Sequence, residues 1–344
     1  MRILAFCPFE LDTVSGNVVT LKRIRQGLAA RGHEFEIVSV SPSTTEKEAG
    51  AHADRRKPEV VHFYHAYKTG RLLPGFNGAP SVVTISGTDL NHDFQDPERR
   101  PILERSLRRA GRLVTYNPSL FHRVKTHLPE VVGKLTILPK GVVVGNEPCD
   151  LRDGSGVVFF LSGGIRPVKD PLFAVEELSR VRNVRLVCAG PILDSEYGET
   201  FRKRIRSVPW ILHVEHIPHA AMMSAYRSAD IVINTSRSEG ISNALMEAMV
   251  AGRAILAADH PGNRDLLQDG ITGLLHHRED FVEKAERLAR DPALRESLGR
   301  AAAEHAAKNF SVDREVDALL KVYAEVTGDG PCRSAASFPP RPTS

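Results

Sequence analysis

The sequence predicts an α/β protein made of two doubly wound, parallel-sheet halves. Three observations carry that prediction. Short apolar, β-branched runs such as Val60-Val61-His62-Phe63-Tyr64 and Ile231-Val232-Ile233 alternate with segments of helical length. Each run ends in small or polar residues, as strands do where their carboxyl ends open onto a ligand crevice. A stretch rich in Gly, Pro, Asn and Asp, Gly141 to Gly156, interrupts the alternation, after which the pattern restarts.

Composition narrows the class. With 344 residues, 42% hydrophobic and 26% charged, the chain can bury two cores and is neither disordered nor fibrous. A net charge of +4 admits anionic substrates, and with 6% aromatic residues no stacking platform for nucleic acid stands out, so no nucleic-acid partner is expected. Cys7, Cys149, Cys188 and Cys332 form no CxxC pair, which fits a reduced protein without structural zinc. Glu10 and Asp12 come too early for a signal peptide, and no run reaches membrane-spanning length, so the expected location is cytoplasmic.

In chain order, Arg2 to Pro8 reads as a strand, Val18 to Ala30 as a helix closed by Arg31-Gly32, and Glu34 to Val40 as the next strand. The loop between the first two, Asp12 to Asn17, offers Gly16 and Asn17 but not the three glycines of GxGxxG, which counts against an NAD-linked oxidoreductase. Gly16 is either a plain turn residue or a place where substrate meets backbone amides. Strands at Val60 to His65 and from Ser81 end in His65 and in Ser86-Gly87-Thr88-Asp89. His65, Ser86, Thr88 and Asp89 can line one crevice; equally, His65 can be simply hydrogen-bonded at a strand end and Asp89 can cap the following turn. His62 and His65 lie on opposite faces of a strand and make no metal pair. Pro97 to Arg112 reads as a basic helix with a solvated charged face, with peripheral contact to anionic lipid or an acidic partner as the alternative. Arg112 to Tyr116 and Leu135 to Leu138 close the first sheet.

The second half opens with the strand Gly156 to Ser162 and the loop Gly163 to Pro171. Asp170 fits an N-cap and Pro171 the first helical position, which puts Arg166 and Lys169 at a strand's carboxyl end, where two cations can neutralise a departing diphosphate. Further strands fall at Val184 to Gly190, Ile211 to His216, Asp230 to Asn234 and Ala254 to Ala257. Gly262 to Asp265 and Asp269 to Leu274 read as turns, and helices begin at Phe281, Pro292 and Val312; the tail from Thr327 reads as disordered.

The stretch from Asp230 to Met249 is the clearest candidate site. A strand, a polar turn and a helix follow one another, and the first amides of that helix, expected at Gly240, Ile241, Ser242 and Asn243, suit an anion. Glu239 and Glu247 would repel a phosphate directly but can accept hydrogen bonds from sugar or ribose hydroxyls beside it. Asn243 and Glu247 share a helical face, while Ala244, Leu245, Ala248 and Met249 are the stripe of an ordinary core-facing helix.

On these residues the chain resembles the GT-B glycosyltransferases of family 4, and within them the glycosyltransferase 1 domain-containing group. The likeness runs from Met1 to about Val326 and is most specific in the loop Gly163 to Pro171, the block Ser238 to Met249, and Pro261-Gly262-Asn263 ahead of Asp269 to Leu275. It implies two Rossmann-like domains facing across a cleft, with the last helix packing back on the first. The expected bounds are 1–145 for the acceptor domain, 146–156 for a linker, 157–310 for the donor domain and 311–326 for that helix, followed by the tail 327–344. By resemblance, Glu239 contacts the donor sugar, Glu247 the ribose, and the amides of Gly240, Ile241 and Ser242 the phosphates. The family's usual arginine aligns with Gly164, leaving Arg166 two places on as its substitute, and Ser86 stands where many relatives carry a histidine. The implied activity is retaining transfer from a nucleotide diphospho-sugar, in first place a UDP-sugar. No DxD-type metal pair is present, so neither metal nor other cofactor is expected. The alternative is a degenerate member that binds the nucleotide sugar without transferring it.

Overall fold

In a computed structural model, residues 1–12, 16–76, 80–154 and 156–328 are described. Ser15 and the predicted tail beyond Gly328 lie outside them. Two six-stranded parallel sheets form the frame. The first half comprises β1 (Arg2–Cys7), α1 (Gly16–Ala29), β2 (Glu34–Ser39), α2 (Glu46–Arg56), β3 (Val60–Tyr64), β4 (Ser81–Ile85), α3 (Gly87–Asn91), α4 (Arg100–Arg109), β5 (Arg112–Thr115), α5 (Pro118–His127) and β6 (Leu135–Ile137). The second comprises β7 (Val157–Ser162), α6 (Pro171–Leu178), β8 (Val184–Ala189), α7 (Ser195–Ile205), β9 (Ile211–Val214), α8 (His219–Ser228), β10 (Ile231–Asn234), α9 (Asn243–Val250), β11 (Ala254–Ala258), α10 (Pro261–Arg264), β12 (Leu274–His276), α11 (Phe281–Arg290), α12 (Pro292–Asn309) and α13 (Val312–Thr327).

Strand order is β2-β1-β3-β4-β5-β6 in the first sheet and β12-β11-β10-β7-β8-β9 in the second. Each sheet is apolar on both faces, which is why β3 and β4 are buried throughout and read as continuous hydrophobic runs. The last helix crosses back: Val316, Leu319, Val322 and Tyr323 of α13 pack with Leu21 and Ile24 of α1 on one face of the first sheet. Arg23 of α1 clasps Glu315 of α13 through two bonds of 2.7 and 2.8 Å, both side chains buried.

Several expectations are corrected. Gly16 is the first residue of α1 rather than part of the turn before it. The segment expected as one helix from Pro97 to Arg112 is helical only over Arg100–Arg109. Two of its arginines are tied up locally, Arg100 with Glu104 at 2.8 Å and Arg108 with Glu104 and Glu130 at 3.0 and 2.8 Å, so it presents a solvated, partly ion-paired face. Residues 261–264 form a short helix, not a turn, because Pro261 starts it and Asp265 N closes on Pro261 O. The turn from Asp269 runs into a strand that the sequence reading missed, β12, which pairs with β11. Among the described residues, no helix is long and apolar enough to cross a membrane.

Candidate active site

The carboxyl ends of the two sheets meet. Gly87, just beyond β4, lies against Gly240, just beyond β10: a Cβ added at Gly87 would come within 2.9 Å of the Gly240 Cα and N. Beside this contact Asn243 Nδ2 donates to Gly16 O at 2.8 Å, Asn91 Nδ2 to Ser238 Oγ at 3.1 Å, and the Ser119 amide to Asp265 Oδ2 at 3.1 Å. Asn243, expected on the donor side, thus holds the first half, and Gly16 is its partner. Asn17 is exposed next to it.

The helix after β10 starts later than the sequence suggests. Ser242 is its N-cap, so Gly240 and Ile241 belong to the preceding turn, and the unpaired amides of the first helical turn begin at Asn243. Ser242 makes no capping bond; its hydroxyl is buried and has no partner among the described residues. A buried hydroxyl beside the first amides of a helix is a donor set that suits an anion. Ile241 packs on the second core. The turn is held from behind by Gly262, where a Cβ would sit 2.0 Å from Gly240 O and 2.6 Å from Glu239 O.

Glu239 is largely buried. Its Oε1 accepts from Ser236 Oγ at 2.8 Å and Asn234 Nδ2 at 3.2 Å and is bonded to Lys169 Nζ. Burial pushes this carboxyl upward, but Lys169 and the two neutral donors outweigh it, so it stays below its ordinary pKa and ionised. All three bonds go to Oε1; Oε2 has no hydrogen-bond partner among the described residues. Lys169 is therefore not the free cation expected from sequence. Arg166 is exposed and forms no ion pair among the described residues. Gly164 lies beneath the exposed Leu193, whose Cδ1 would be 2.3 Å from an added Cβ, so a side chain there requires Leu193 to move aside.

Asp170 is the N-cap residue of α6, but its carboxylate does not cap. It accepts from Arg237 Nε at 3.0 Å, Arg278 Nη1 at 2.9 Å and Tyr197 hydroxyl at 3.2 Å, and it adopts a left-handed φ of 45°. Glu247 points its Oε1 to within 3.7 Å of His219 Nε2.

In the first half, of the two readings left open by the sequence, burial selects the structural one: His65 and Asp89 are 2% and 0% exposed, and Asp89 completes a capping box with Ser86 at the start of α3 instead of lining the crevice. Asp89 Oδ1 bonds His65 Nδ1 at 2.6 Å, and Asp89 Oδ2 accepts from the Ser86 amide at 2.7 Å. The far nitrogen of His65 reaches the Thr88 hydroxyl at 3.0 Å, which meets Ser86 Oγ at 2.9 Å. Thr88 is the exposed end of this chain of bonds and Asp89 its buried anchor. His65 has a φ of 104°, a strained conformation that persists only where its surroundings enforce it. His65, Asp89 and Asp93 also place ligand-type atoms within 4.8 Å of one another. Both Asp89 oxygens are already hydrogen-bonded, to His65 and the Tyr67 amide on one side and the Ser86 amide on the other, so orienting His65 suits this set better than holding a metal.

Sequence reading missed His260, Asn263, Arg237, Arg278 and Lys140. His260 Nε2 is buried without a partner among the described residues, and burial lowers its pKa while Glu239 and Lys169 act on it from nearby. Asn263 is fully buried and bridges Asn234 Oδ1 and Ala258 O at 3.2 and 2.8 Å. Asn263 stands in the Pro261-Gly262-Asn263 match without a role there, and only its place after β11 could have marked His260.

Residues 167–321 match the family model described as Glycosyl transferase-like. Over 96% of this chain and 99% of the relative, the chain is 26% identical to Glycosyltransferase 1 domain-containing protein 1 of Xenopus tropicalis. In sequence the chain is thus similar to glycosyltransferases of group 1. A D-inositol 3-phosphate glycosyltransferase of Kribbella flavida is 26% identical over 77% of the chain and 70% of the relative. In fold, the chain is similar to a sucrose-phosphate synthase from Thermosynechococcus elongatus, with a TM-score of 0.83 at 14% identity over 96% of this chain and 100% of that one. It is also similar to Anabaena HepE solved with UDP and glucose, with a TM-score of 0.75 at 14% identity over 94% and 99%.

Proposed function

We propose that this chain is a GT-B glycosyltransferase that moves a sugar from a nucleotide diphospho-sugar, in first place a UDP-sugar, to an acceptor bound by the first half, with retention of anomeric configuration and without a metal. The observation that carries this reading is the division of labour at Glu239: one oxygen is saturated by Lys169, Ser236 and Asn234, and the other is open to a sugar hydroxyl beside the Gly87–Gly240 contact. The diphosphate lies on the free amides after Ser242, with its buried hydroxyl as a further donor. Glu247 accepts from the ribose. Asp89 at the contact is buried and fully bonded, which leaves the acceptor hydroxyl to lose its proton to the departing phosphate on the face that the phosphate vacates. The UDP complexes of HepE support the choice of donor.

A panel of nucleotide sugars read by thermal shift, followed by mass analysis of products and NMR of the new anomeric centre, tests the reading. A product of inverted configuration overturns retention. Loss of turnover in EDTA with recovery in magnesium or manganese overturns metal independence. A second reading, a member that binds the donor without transferring it, is favoured by the neutralisation of Lys169 and the exposure of Arg166. Saturable UDP binding with neither transfer nor slow donor hydrolysis selects it.

A further inference from the structure

Lys140 follows β6, where the chain leaves the first sheet for the second, and it is partly buried. Its ammonium lies 5.6 Å from the centre of the Tyr116 ring and reaches no carboxylate within ion-pair distance among the described residues. The adjacent Gly141 amide donates to Glu315 Oε2 at 3.1 Å, which sets Lys140 beside the buried Arg23–Glu315 pair. Those two charges cancel, so the charge of Lys140 stands uncompensated in a region where burying an ion is costly. Chains tolerate such a group where an anion arrives to neutralise it. Lys169 is taken by Glu239, Asp170 holds both Arg237 and Arg278, and Arg123 is bonded to Asn91 Oδ1 and Leu90 O, whereas Lys140, on which Glu239 and Glu247 act, has neither an ion pair nor a hydrogen bond among the described residues.

We propose that Lys140 binds a phosphoryl group of the donor diphosphate from the first-half side, opposite the amides that follow Ser242. This rests on the donor reading above. The charged and titratable groups that act on Lys140 are Arg23 of α1, Glu315 of α13, Tyr116 beyond β5, Glu239 of the turn and Glu247 of α9. Burial, then Arg23, lower its pKa to about 8 against the opposing pull of Glu315, Glu239 and Glu247. The ammonium is charged below that value and neutral above it, so its grip on a phosphate is present at neutral pH and fades in mild alkali.

Calorimetric titration of the whole chain with UDP alone, no acceptor present, from pH 7 to pH 9 tests this. A contact that needs the charged amine weakens by roughly tenfold over that range. Lys140→Arg keeps its charge throughout, so it removes this weakening while retaining any titration of UDP itself. Lys140→Met binds at pH 7 as weakly as the wild type does at pH 9. If wild type and Lys140→Arg follow one pH curve, or if Lys140→Met binds UDP at pH 7 as tightly as wild type, Lys140 is not a phosphate ligand and the donor reading survives. If wild type binds UDP at no pH while remaining folded, the donor reading fails and the role of Lys140 fails with it. A pH effect that appears only with an acidic acceptor present overturns the assignment to the diphosphate.

Discussion

Gly87 and Gly240 meet backbone to backbone, with only 2.9 Å between a Cβ built on the first and the Cα of the second. One glycine belongs to the first half and the other to the turn that carries Glu239, so their contact sets how closely an acceptor can approach the donor. Gly87→Ala should leave UDP binding within about twofold and lower turnover by roughly a hundredfold, the scale of a misplacement near 1 Å at a reacting centre. Equal turnover in the variant would mean that the halves do not need this approach.

The unequal use of the two Glu239 oxygens separates it from Glu247. Glu239→Gln keeps the shape but strips the charge that Lys169 faces and should cut turnover by about a hundredfold with little change in donor affinity. Glu247→Ala removes a charged acceptor from the ribose, worth about 1.5–3 kcal/mol, and should weaken donor binding by roughly ten- to a hundredfold. A Glu239 variant that loses affinity while keeping turnover would reverse these roles. Steady-state kinetics with donor as the varied substrate reads both.

The two-sheet fold was legible because parallel strands covered on both faces are written as continuous apolar runs; Val60 to Tyr64 and Ile231 to Asn234 fall within a residue of where the sequence puts them. The strand Leu274–His276 was hidden because three residues beside a glycine turn give no period to detect. Glu239 and Lys169 were found as residues, but not as partners. An ion pair between positions 70 apart is a property of packing, and no spacing encodes it. Asp89 shows the same limit from the other side: a polar residue at a strand end fits a ligand contact and a turn cap equally well in sequence, and only burial decides for the cap. Lys140 carried no motif at all, since its significance is the partner it lacks.

Arg23 and Glu315 join residues 292 apart in sequence and fasten α13 to the first sheet. Removing one partner leaves a buried charge alone, a loss of about 3–5 kcal/mol, whereas replacing both by apolar residues of similar volume is far milder. Arg23→Met and Glu315→Gln should each lower the urea midpoint strongly, and the double variant Arg23→Met with Glu315→Met should recover most of it. Single variants that unfold within 1 kcal/mol of wild type would show that the pair is dispensable.

The Asp89–His65 bond predicts acid sensitivity. Burial alone would raise the Asp89 carboxyl, but the His65 charge, the His65 bond and the backbone donors at Ser86 and Ala66 outweigh it and hold its pKa below the ordinary value. A depressed carboxylate pKa in the folded state contributes stability that is complete above the unfolded pKa, near 4, and is lost as pH falls through the folded value. Wild-type stability should therefore decline steeply below about pH 4. Asp89→Asn cannot titrate, so it should be less stable at pH 7 and show a flatter decline below about pH 4; some slope remains because Glu239 is depressed as well. Denaturant midpoints measured from pH 2.5 to 7 check this. Parallel curves for the two proteins would mean that Asp89 holds His65 as a neutral hydrogen-bond acceptor, not as the charged partner that orients the imidazole toward Thr88.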